Sequence, residues 1–364
     1  MRYLILAGLF LMGLTLGALN RGDSNEKEGD VLEVEPVKTV CAAPIQSGLL
    51  SNKIKGISLV APPNPFSNEP MLPLNELGVD YIAVIPYGYF KKNDSSIKSF
   101  SSGGWWGDRP EGVCNTIERA HDKGLKVLLK PQLWTHNQWI GDLDFENDKA
   151  WKAFEKNYTR FILGWARVAD SMNIEILCVG TEIRRSTEKR PKYWRGLIKK
   201  IRKIYKGKLT YAPNWDDYDK VTFWDALDYI GVDAYFPLSS EKTPTVCALK
   251  EAWQPTLKTL KAYSKKWKTP ILFTEYGYLS LDGCAGKTWE LEKDRQSVDI
   301  NQQGQANAVQ ALLEVFAEED WWAGGFLWKW YPNYSSAMGE GKRARDYTPQ
   351  GKLTEEVMRK MFSD

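Results

Sequence analysis

Two glutamates, each closing a short apolar segment, are the residues of this sequence best placed to do chemistry. They are Glu182, at the end of Ile174–Glu182, and Glu275, at the end of Pro270–Glu275. Both segments are short, rich in apolar or β-branched residues and flanked by turn or helix signals, which predicts buried strands. A carboxylate there is costly unless it is paired or faces a wet site. One such glutamate is equally well explained as a salt-bridged strand end, but two indicate the carboxylate pair that cleaves glycosidic bonds.

The charge balance and the small number of histidines exclude several other classes of function. A formal net charge of +3 and a pI near 8.4 are too balanced to indicate a nucleic-acid-binding protein. The histidines are His121 and His136, and the five cysteines show no C-x-x-C spacing, so the sequence predicts neither a metal site nor another cofactor. It also contains no G-x-S-x-G, Walker or dinucleotide-binding glycine motif.

A repeating pattern of strands and helices must position the two glutamates. Eight apolar segments with strand character are found at 54–61, 81–89, 126–134, 175–182, 208–215, 228–237, 270–278 and 324–331. Amphipathic helical stretches alternate with them at 70–78, 112–123, 148–170, 191–206, 218–227, 245–267, 301–319 and 353–362. This alternation predicts an α/β protein with a single (β/α)8 TIM barrel. The alternative, a doubly wound open sheet, normally has a glycine-rich turn after its first strand, which is missing here.

Several loops that follow the predicted strands are long, at 90–111, 135–147, 238–244 and 279–300. In a barrel this marks the carboxyl ends of the strands as the working face. Aromatic residues make up 13% of the chain, and many tryptophans fall at this face, where flat rings can stack on sugars while polar groups bind the hydroxyls. The predicted substrate-binding residues are Lys130, Trp134, His136, Asn214, Trp215, Tyr235, Trp328 and Trp330.

Strand alternation predicts which side chains accompany the glutamates inside the barrel. By this rule the interior holds Glu275 with Phe273 and Ile271, and Glu182 with Gly180, Cys178 and Ile176. On the sixth strand Tyr235 shares a face with Asp233, and its hydroxyl is expected to donate a hydrogen bond that keeps Glu275 ionised. Trp328 on the eighth strand is expected to form the floor under the sugar. Aromatic packing for Tyr235 and a barrel plug for Trp328 are the alternatives.

The N-terminal residues differ in composition from the rest. Residues 1–19 combine Met1 and Arg2 with an apolar run, which predicts a signal peptide or an N-terminal anchor. The protein is therefore expected to be secreted, periplasmic or at the cell surface, with any membrane anchoring through this segment. Residues 20–50 are polar and acidic in patches, which predicts a flexible linker before a catalytic domain at 51–364.

Two of the five cysteines fall on the same predicted rim, in adjacent units of the barrel. Cys247 opens the helix after the sixth strand, and Cys284 lies in the loop after the seventh. In an exported protein this placement predicts a disulfide between them. Cys178 is expected to be a buried, unreactive thiol.

Short motifs on the predicted strands carry a family resemblance through their order and spacing. They are Lys55–Leu59, Gly78–Val84, Lys130–Trp134, Val179–Glu182, Gly231–Tyr235 and Thr274–Tyr278. Together, over about residues 54–332, they resemble glycoside hydrolase family 113, the β-mannanases, within a large clan of retaining glycosidases. The resemblance implies that Glu182 is the acid/base and Glu275 the nucleophile. Many relatives in the wider clan have Asn before the acid/base, where this chain has Thr181.

The sequence therefore predicts an endo-acting, retaining glycoside hydrolase that cleaves β-1,4-mannosidic bonds by double displacement. Its expected partner is a mannan-type polysaccharide or oligosaccharide. Retention predicts that the carboxyl groups of Glu182 and Glu275 lie roughly 5–5.5 Å apart. An exo-β-mannosidase or another β-glycanase of the clan is the alternative enzyme. A non-catalytic carbohydrate-binding barrel is a different class, which the joint presence of two glutamates argues against.

Overall fold

The structure, a computed structural model, describes residues 48–91, 96–98, 104–136, 138–332 and 340–363. The predicted leader at 1–19 and most of the predicted linker at 20–50 lie outside this part of the chain. The first described residues already pack on the rest: the Gly48 N–H donates to the Ser363 carbonyl at 2.9 Å, and Leu50 is buried. Of the helices in the described part, none combines the length and the apolar character that a membrane crossing requires.

Eight parallel strands form the predicted (β/α)8 barrel. They are β1 Ile54–Leu59, β2 Tyr81–Val84, β3 Lys126–Leu129, β4 Ile176–Thr181, β5 Lys208–Ala212, β6 Ile230–Asp233, β7 Ile271–Tyr276 and β8 Trp322–Trp330. Hydrogen bonds join them in the order β5-β4-β3-β2-β1-β8-β7-β6. The barrel closes between β5 and β6, where Asn214 bridges Asp233 in parallel and the Asp233 N–H donates to the Pro213 carbonyl at 2.8 Å. The predicted fold is thus confirmed.

Helices surround the barrel close to their predicted positions. The α-helices span Leu72–Glu76, Pro110–Asp122, Asp148–Ser171, Arg184–Lys189, Pro191–Ile204, Val246–Trp267, Thr288–Leu291, Gln302–Ala317, Glu340–Ala344 and Leu353–Phe362. Short 3-10 turns span Trp106–Asp108, Ile140–Asp142, Tyr218–Lys220 and Trp224–Ala226. The prediction of a helix at 218–227 is wrong, because two of these 3-10 turns are found there. Val221, Phe223 and Trp224 are all buried there, and one helix face cannot present all three to the core.

Two of the predicted strands are interrupted by proline. The segments predicted at 81–89 and 126–134 break at Pro86 and Pro131, because proline offers no N–H to the sheet. Their distal halves, Tyr87–Lys91 and Gln132–Thr135, pair in parallel and form a small separate sheet, to which Ser96–Lys98 adds an antiparallel strand. This small sheet carries Tyr89 and Trp134 at the carboxyl end of the barrel.

The predicted disulfide between Cys247 and Cys284 is wrong. Cys284 is a free thiol, 1% exposed, whose side chain is turned into the hydrophobic core and away from the rim. Cys247 is disulfide-bonded, but not to Cys284. Cys178 is the buried free thiol that was predicted, and burial raises its pKa to about 11.

Candidate active site

Both glutamates follow an irregularity at the end of their strand. Phe273 and Glu275 of β7 pair with two consecutive residues of β6, so β7 carries one extra residue between them. Cys178 and Thr181 of β4 are three residues apart, whereas their partners on β5 are only two apart, so β4 also carries one extra residue. Glu182 then adopts a left-handed backbone with φ of 52°. Such bulges re-aim side chains at strand ends, and here one stands directly before each of the two glutamates.

These bulges overturn part of the predicted alternation. Ile176 and Cys178 do pack inside the barrel, together with Leu272. Phe273 and Ile271 instead belong to the outer core, where the Phe273 ring lies 4.8 Å from that of Phe316. A Cβ on Gly180 would point outward, 2.7 Å from the Trp194 ring. The inserted residue changes which face of the strand the side chains before each glutamate point to.

Glu275 is held by one hydrogen-bond donor on each of its two oxygens. The Tyr235 hydroxyl donates to Oε2 at 2.7 Å, and the Lys130 ammonium donates to Oε1. Burial, and then the adjacent Glu275 charge, raise the pKa of Tyr235 well above its usual range, so its hydroxyl stays protonated and acts as a donor. One donor on each oxygen fixes the orientation of the Glu275 carboxyl group and leaves further lone pairs free for reaction.

A second carboxylate lies behind Glu275. Asp233 is 0% exposed, and its Oδ1 accepts a hydrogen bond from the Thr274 hydroxyl at 2.8 Å and lies 3.6 Å from Lys130 Nζ. Burial raises the pKa of Asp233 well above its usual range, although the Lys130 ammonium opposes this. Burial alone would lower the pKa of Lys130, but Asp233 and Glu275 outweigh it and keep the amine charged.

Glu182 has a different environment. Its Oε2 accepts a hydrogen bond from the Trp139 indole N–H at 2.8 Å. Burial, followed by repulsion from the Glu275 charge, raises the pKa of Glu182 to about 7, while Trp139 and Lys130 partly oppose the rise. Glu182 therefore exchanges a proton near neutral pH, whereas Glu275 sits among donors. Two carboxylates whose environments differ in this way are suited to act as an acid/base and a nucleophile.

A cavity of about 580 Å³ opens beside Glu182. Its walls include three tryptophans: Trp139, Trp215 and Trp289. The Trp215 and Trp289 rings are stacked, with centroids 5.7 Å apart and planes inclined by 18°. The polar lining is supplied by Asp142, Arg184, Asn214, Asp216, Tyr235, Thr288 and Lys293. Aromatic faces next to several hydrogen-bonding groups fit the surface of a sugar chain.

A second cavity, of about 400 Å³, also opens where the strands end. Its aromatic lining consists of Tyr87, Tyr89, Trp105, Trp134 and Trp328. Trp105 and Trp134 are 50% and 46% exposed, which is unusual for such large apolar side chains. Tyr87 of this cavity lies close enough to Glu275 to feel its charge: burial, and next the Glu275 charge, raise the pKa of Tyr87. Aromatic surface is thus available on both cavities.

The structure brings most of the predicted substrate-binding residues to these cavities, but not all of them. Asn214, Trp215 and Tyr235 line the first cavity, and Trp134 and Trp328 line the second. The other three take different positions: Lys130, His136 and Trp330. Lys130 is completely buried and contacts carboxylates, Trp330 is 3% exposed in the core, and His136 lies beside the Trp134 ring without lining either cavity.

Sequence reasoning missed the residues that surround Glu182. Arg184 lies over the Trp139 ring, 4.8 Å from its centroid, and pairs with Asp142 at 2.6 Å. Trp139 and Trp289 both fall in long loops after predicted strands, which was the available signal. Nothing in the sequence pattern showed that Trp139 would donate a hydrogen bond to Glu182. Among the described residues, no group of three or more His, Cys, Asp or Glu side chains is arranged to hold a metal ion.

Solved structures resemble this chain over most of its length. One solved glycoside hydrolase family 113 β-1,4-mannanase is 26% identical, with a TM-score of 0.71, covering 85% of this chain and 99% of that one. The family 113 β-mannanase AaManA from Alicyclobacillus acidocaldarius is 24% identical, with a TM-score of 0.74, covering 87% of this chain and 99% of that one. Comparison with curated protein sequences gave no match.

More distant structures share the fold alone. The β-glucuronidase of Ruminococcus gnavus is 12% identical, with a TM-score of 0.56, covering 84% of this chain and 49% of that one. The family assignment rests on the sequence itself: the profile described as Glycoside Hydrolase Family 113 matches residues 64–352, which include both glutamates and nearly the whole barrel. The chain belongs to glycoside hydrolase family 113 and is a glycoside hydrolase.

Proposed function

We propose that this glycoside hydrolase acts on mannans, as an endo-β-1,4-mannanase that retains anomeric configuration. The substrate is supported by the two similar family 113 structures, one of a β-1,4-mannanase and one of a β-mannanase. The observation that carries the mechanism is the contrast between Glu182, whose pKa is raised to about 7, and Glu275, which accepts hydrogen bonds from Tyr235 and Lys130. One carboxyl group is suited to carry a proton and the other to attack.

In this mechanism Glu275 is the nucleophile and Glu182 the acid/base. A Glu275 oxygen attacks the anomeric carbon while the Glu182 proton moves to the departing glycosidic oxygen. The products of this step are a neutral glycosyl ester on Glu275 and an ionised Glu182. Glu182 then removes a proton from water, which attacks the anomeric carbon and releases Glu275 as a carboxylate. Tyr235 and Lys130 hold the Glu275 carboxylate in position before the attack.

Internal cleavage of a chain is supported by the two aromatic cavities. The cavity at Glu182 would hold the sugars of the leaving group, because Glu182 must reach the departing oxygen. The cavity at Trp328 would hold sugars on the other side of the cleaved bond. An enzyme with sugar-binding surface on both sides can bind the middle of a polysaccharide. An exo-acting β-mannosidase would instead need one closed end.

Hydrolysis of β-1,4-mannan and of matched β-1,4-glucan and β-1,4-xylan tests this function. The anomer formed first is followed by NMR, and the fall in viscosity is compared with the release of reducing ends. Initial β-anomer, with viscosity falling early on mannan alone, is expected. Initial α-anomer excludes retention, release of mannose without early loss of viscosity indicates an exo-β-mannosidase, and preference for another polymer indicates a different β-glycanase.

Export is part of the same proposal. A polymer too large to enter a cell must be cleaved outside the cytoplasm, and the apolar run at 1–19 has the form of a signal peptide or an anchor. Fractionation of cells that express the full chain, with N-terminal mass analysis of the product, distinguishes a cleaved leader from a retained anchor. Cytoplasmic protein with an intact N-terminus contradicts export.

A further inference from the structure

One buried ammonium group contacts two carboxylates, of which the proposed mechanism uses only one. The Lys130 side chain is 0% exposed, as is that of Asp233, and Glu275 is 8% exposed. Lys130 donates to Glu275 Oε1 and lies 3.6 Å from Asp233 Oδ1. The proposed chemistry engages Glu275 alone, so the part played by Asp233 beside the same ammonium group remains to be assigned.

The fold fixes Asp233 firmly in this position. It is the last residue of β6 and pairs with Glu275 of β7 across the bulge, while its N–H donates to the Pro213 carbonyl where the barrel closes. The Thr274 hydroxyl, on the inserted residue of the bulge, donates to Asp233 Oδ1 at 2.8 Å. The oxygen nearest to Lys130 is therefore held by backbone closure and by a hydrogen bond.

The charge around Lys130 changes during the proposed reaction. When a Glu275 oxygen bonds to the anomeric carbon, the glycosidic C–O bond breaks and the Glu182 proton goes to the leaving oxygen. Glu275 is then a neutral ester, and Lys130 loses the charge of its nearer partner. A buried charge that loses its partner is strongly destabilised. Among the described residues in contact with the ammonium group, Asp233 is the carboxylate that does not react.

We propose that Asp233 is a positioning residue that serves as the counter-ion of Lys130 in the covalent intermediate. This inference rests on the proposed function, because it requires a glycosyl ester on Glu275. In the resting enzyme burial and the Glu275 charge raise the pKa of Asp233. Ester formation removes that repulsion, so Asp233 carries a negative charge most easily when Lys130 needs it. Asp233 therefore stabilises the intermediate without touching the sugar.

The role predicts different effects on the two chemical steps. In Asp233→Asn, ester formation leaves the buried ammonium without a charged partner, so glycosylation should slow by about a hundredfold. Hydrolysis of the ester restores the Glu275 carboxylate to Lys130, so this step should keep its rate or become faster. A purely structural role of Asp233 would lower both rates together or reduce the amount of active enzyme.

Trapping kinetics separate the two steps. A dinitrophenyl β-mannobioside with fluorine in place of the C2 hydroxyl on the reacting sugar esterifies the nucleophile, and mass spectrometry reports the trapped enzyme. We expect Asp233→Asn to be trapped about a hundredfold more slowly than the wild type and to reactivate at least as fast. Asp233→Glu keeps the charge and should recover most of the trapping rate. Equal losses in both steps, or an unchanged trapping rate, would overturn the proposal.

The wild type and a milder variant keep the test decisive. A wild type that is never trapped contradicts the proposed retaining function, which is a different failure from that of the Asp233 role. Should Asp233→Asn not fold, Thr274→Val removes one hydrogen bond from Asp233 while leaving every charge in place. Slower trapping without slower reactivation is then the supporting result, and identical behaviour to the wild type overturns the inference.

Discussion

The indole N–H of Trp139 lies 2.8 Å from Oε2 of Glu182 and donates a hydrogen bond to it. Trp139 is itself held by Arg184, whose guanidinium stacks on the indole ring at 4.8 Å. The donor favours the ionised form of Glu182, whereas burial and Glu275 favour the protonated form and raise its pKa to about 7. The loop that carries Trp139 therefore helps to set the pH at which the acid/base changes state.

Replacing Trp139 should move the alkaline limit of activity upward. The general acid must be protonated, so kcat/KM should fall as pH rises through the Glu182 pKa of about 7. Trp139→Phe removes a donor that favours the ionised form of Glu182, so the pH at which kcat/KM falls on the alkaline side should rise by about one unit. The pH profile on a mannan oligosaccharide measures this. Trp151→Phe, a buried tryptophan of the outer core, is the control and should keep the wild-type limb.

The two glutamates should fail in different ways when each is replaced by alanine. Glu275→Ala should have no turnover on any substrate, because no ester can form. Glu182→Ala should fail on mannan, whose leaving oxygen needs a proton, but should keep first-step activity on dinitrophenyl glycosides, whose leaving group departs unaided. Added azide should accelerate the second step, because that anion needs no general base.

An exposed glutamate supplies the control for this pair. Glu251 lies on the outer helix Val246–Trp267, and Glu251→Ala should leave every rate unchanged. Identical behaviour of the two active-site variants toward dinitrophenyl glycosides, or azide rescue of Glu275→Ala instead, contradicts the assigned roles. A crystal structure should also show the carboxyl groups roughly 5–5.5 Å apart, because a distance of about 6.5–9.5 Å indicates inversion.

Two tryptophans near the end of β8 offer a matched comparison. Trp328 lines the second cavity, whereas Trp330 is 3% exposed in the core. Trp328→Ala should lower kcat/KM on mannan with a small loss of stability, because one side of the ring is open to a ligand. Trp330→Ala should instead cost about 3–5 kcal/mol of folding free energy. Urea unfolding and initial rates of both variants give the answer, and equal loss of stability would make Trp328 a barrel plug.

The bulge before Glu182 contains a glycine, Gly180, whose surroundings leave no room for a side chain. A Cβ on Gly180 would lie 2.7 Å from Trp194 Cη2 and 2.9 Å from the Tyr158 hydroxyl. Gly180→Ala should therefore cost about 1–3 kcal/mol through overpacking, and it should lower kcat by moving the backbone that carries Glu182. Calorimetry and rate measurements test both effects together.

Gly196 is the control for that substitution. It lies within the helix Pro191–Ile204, and a Cβ there meets no atom within 4 Å. Gly196→Ala should stabilise the protein by about 0.5–1 kcal/mol through helix propensity and leave activity unchanged. A Gly180 variant that behaves like the Gly196 variant would show that the close packing behind Glu182 does not fix its position.

The sequence predicted the barrel because buried strands and amphipathic helices leave periodic signals. It also predicted the Tyr235–Glu275 hydrogen bond, since neighbouring strands place those residues at the same end of the barrel. It failed where periodicity itself breaks. The bulges in β4 and β7 leave no compositional mark, so Phe273 was assigned to the barrel interior although it packs outside.

Burial of polar residues was the second limit. Lys130 was predicted to bind sugar as a polar group near the carboxyl end of a strand, but its amine pairs with Glu275 and Asp233 inside the barrel, where lysine is rarely found. Only the three-dimensional arrangement of β3, β6 and β7 brings these charges together. The Cys247–Cys284 pairing failed for a related reason, because adjacent positions on a rim do not fix the direction of a side chain, and Cys284 points inward.

The raised pKa of Glu182 also predicts a dependence of stability on pH. Its folded-state value of about 7 exceeds the reference value of 4.5, so the folded protein binds this proton more tightly than the unfolded chain. Stability should therefore fall as pH rises from about 4.5 to about 7 and then stay level. Glu182→Gln cannot ionise, so it should be more stable than the wild type above pH 7. The expected gain in the free energy of unfolding is about 1–3 kcal/mol, since the Glu182 side chain is only half-buried.

Urea unfolding at about pH 4 and about pH 8 measures this difference between the variant and the wild type, with Glu251→Gln as the exposed control. A stabilisation that is the same at both pH values would mean that shape, and not the proton on Glu182, accounts for the effect.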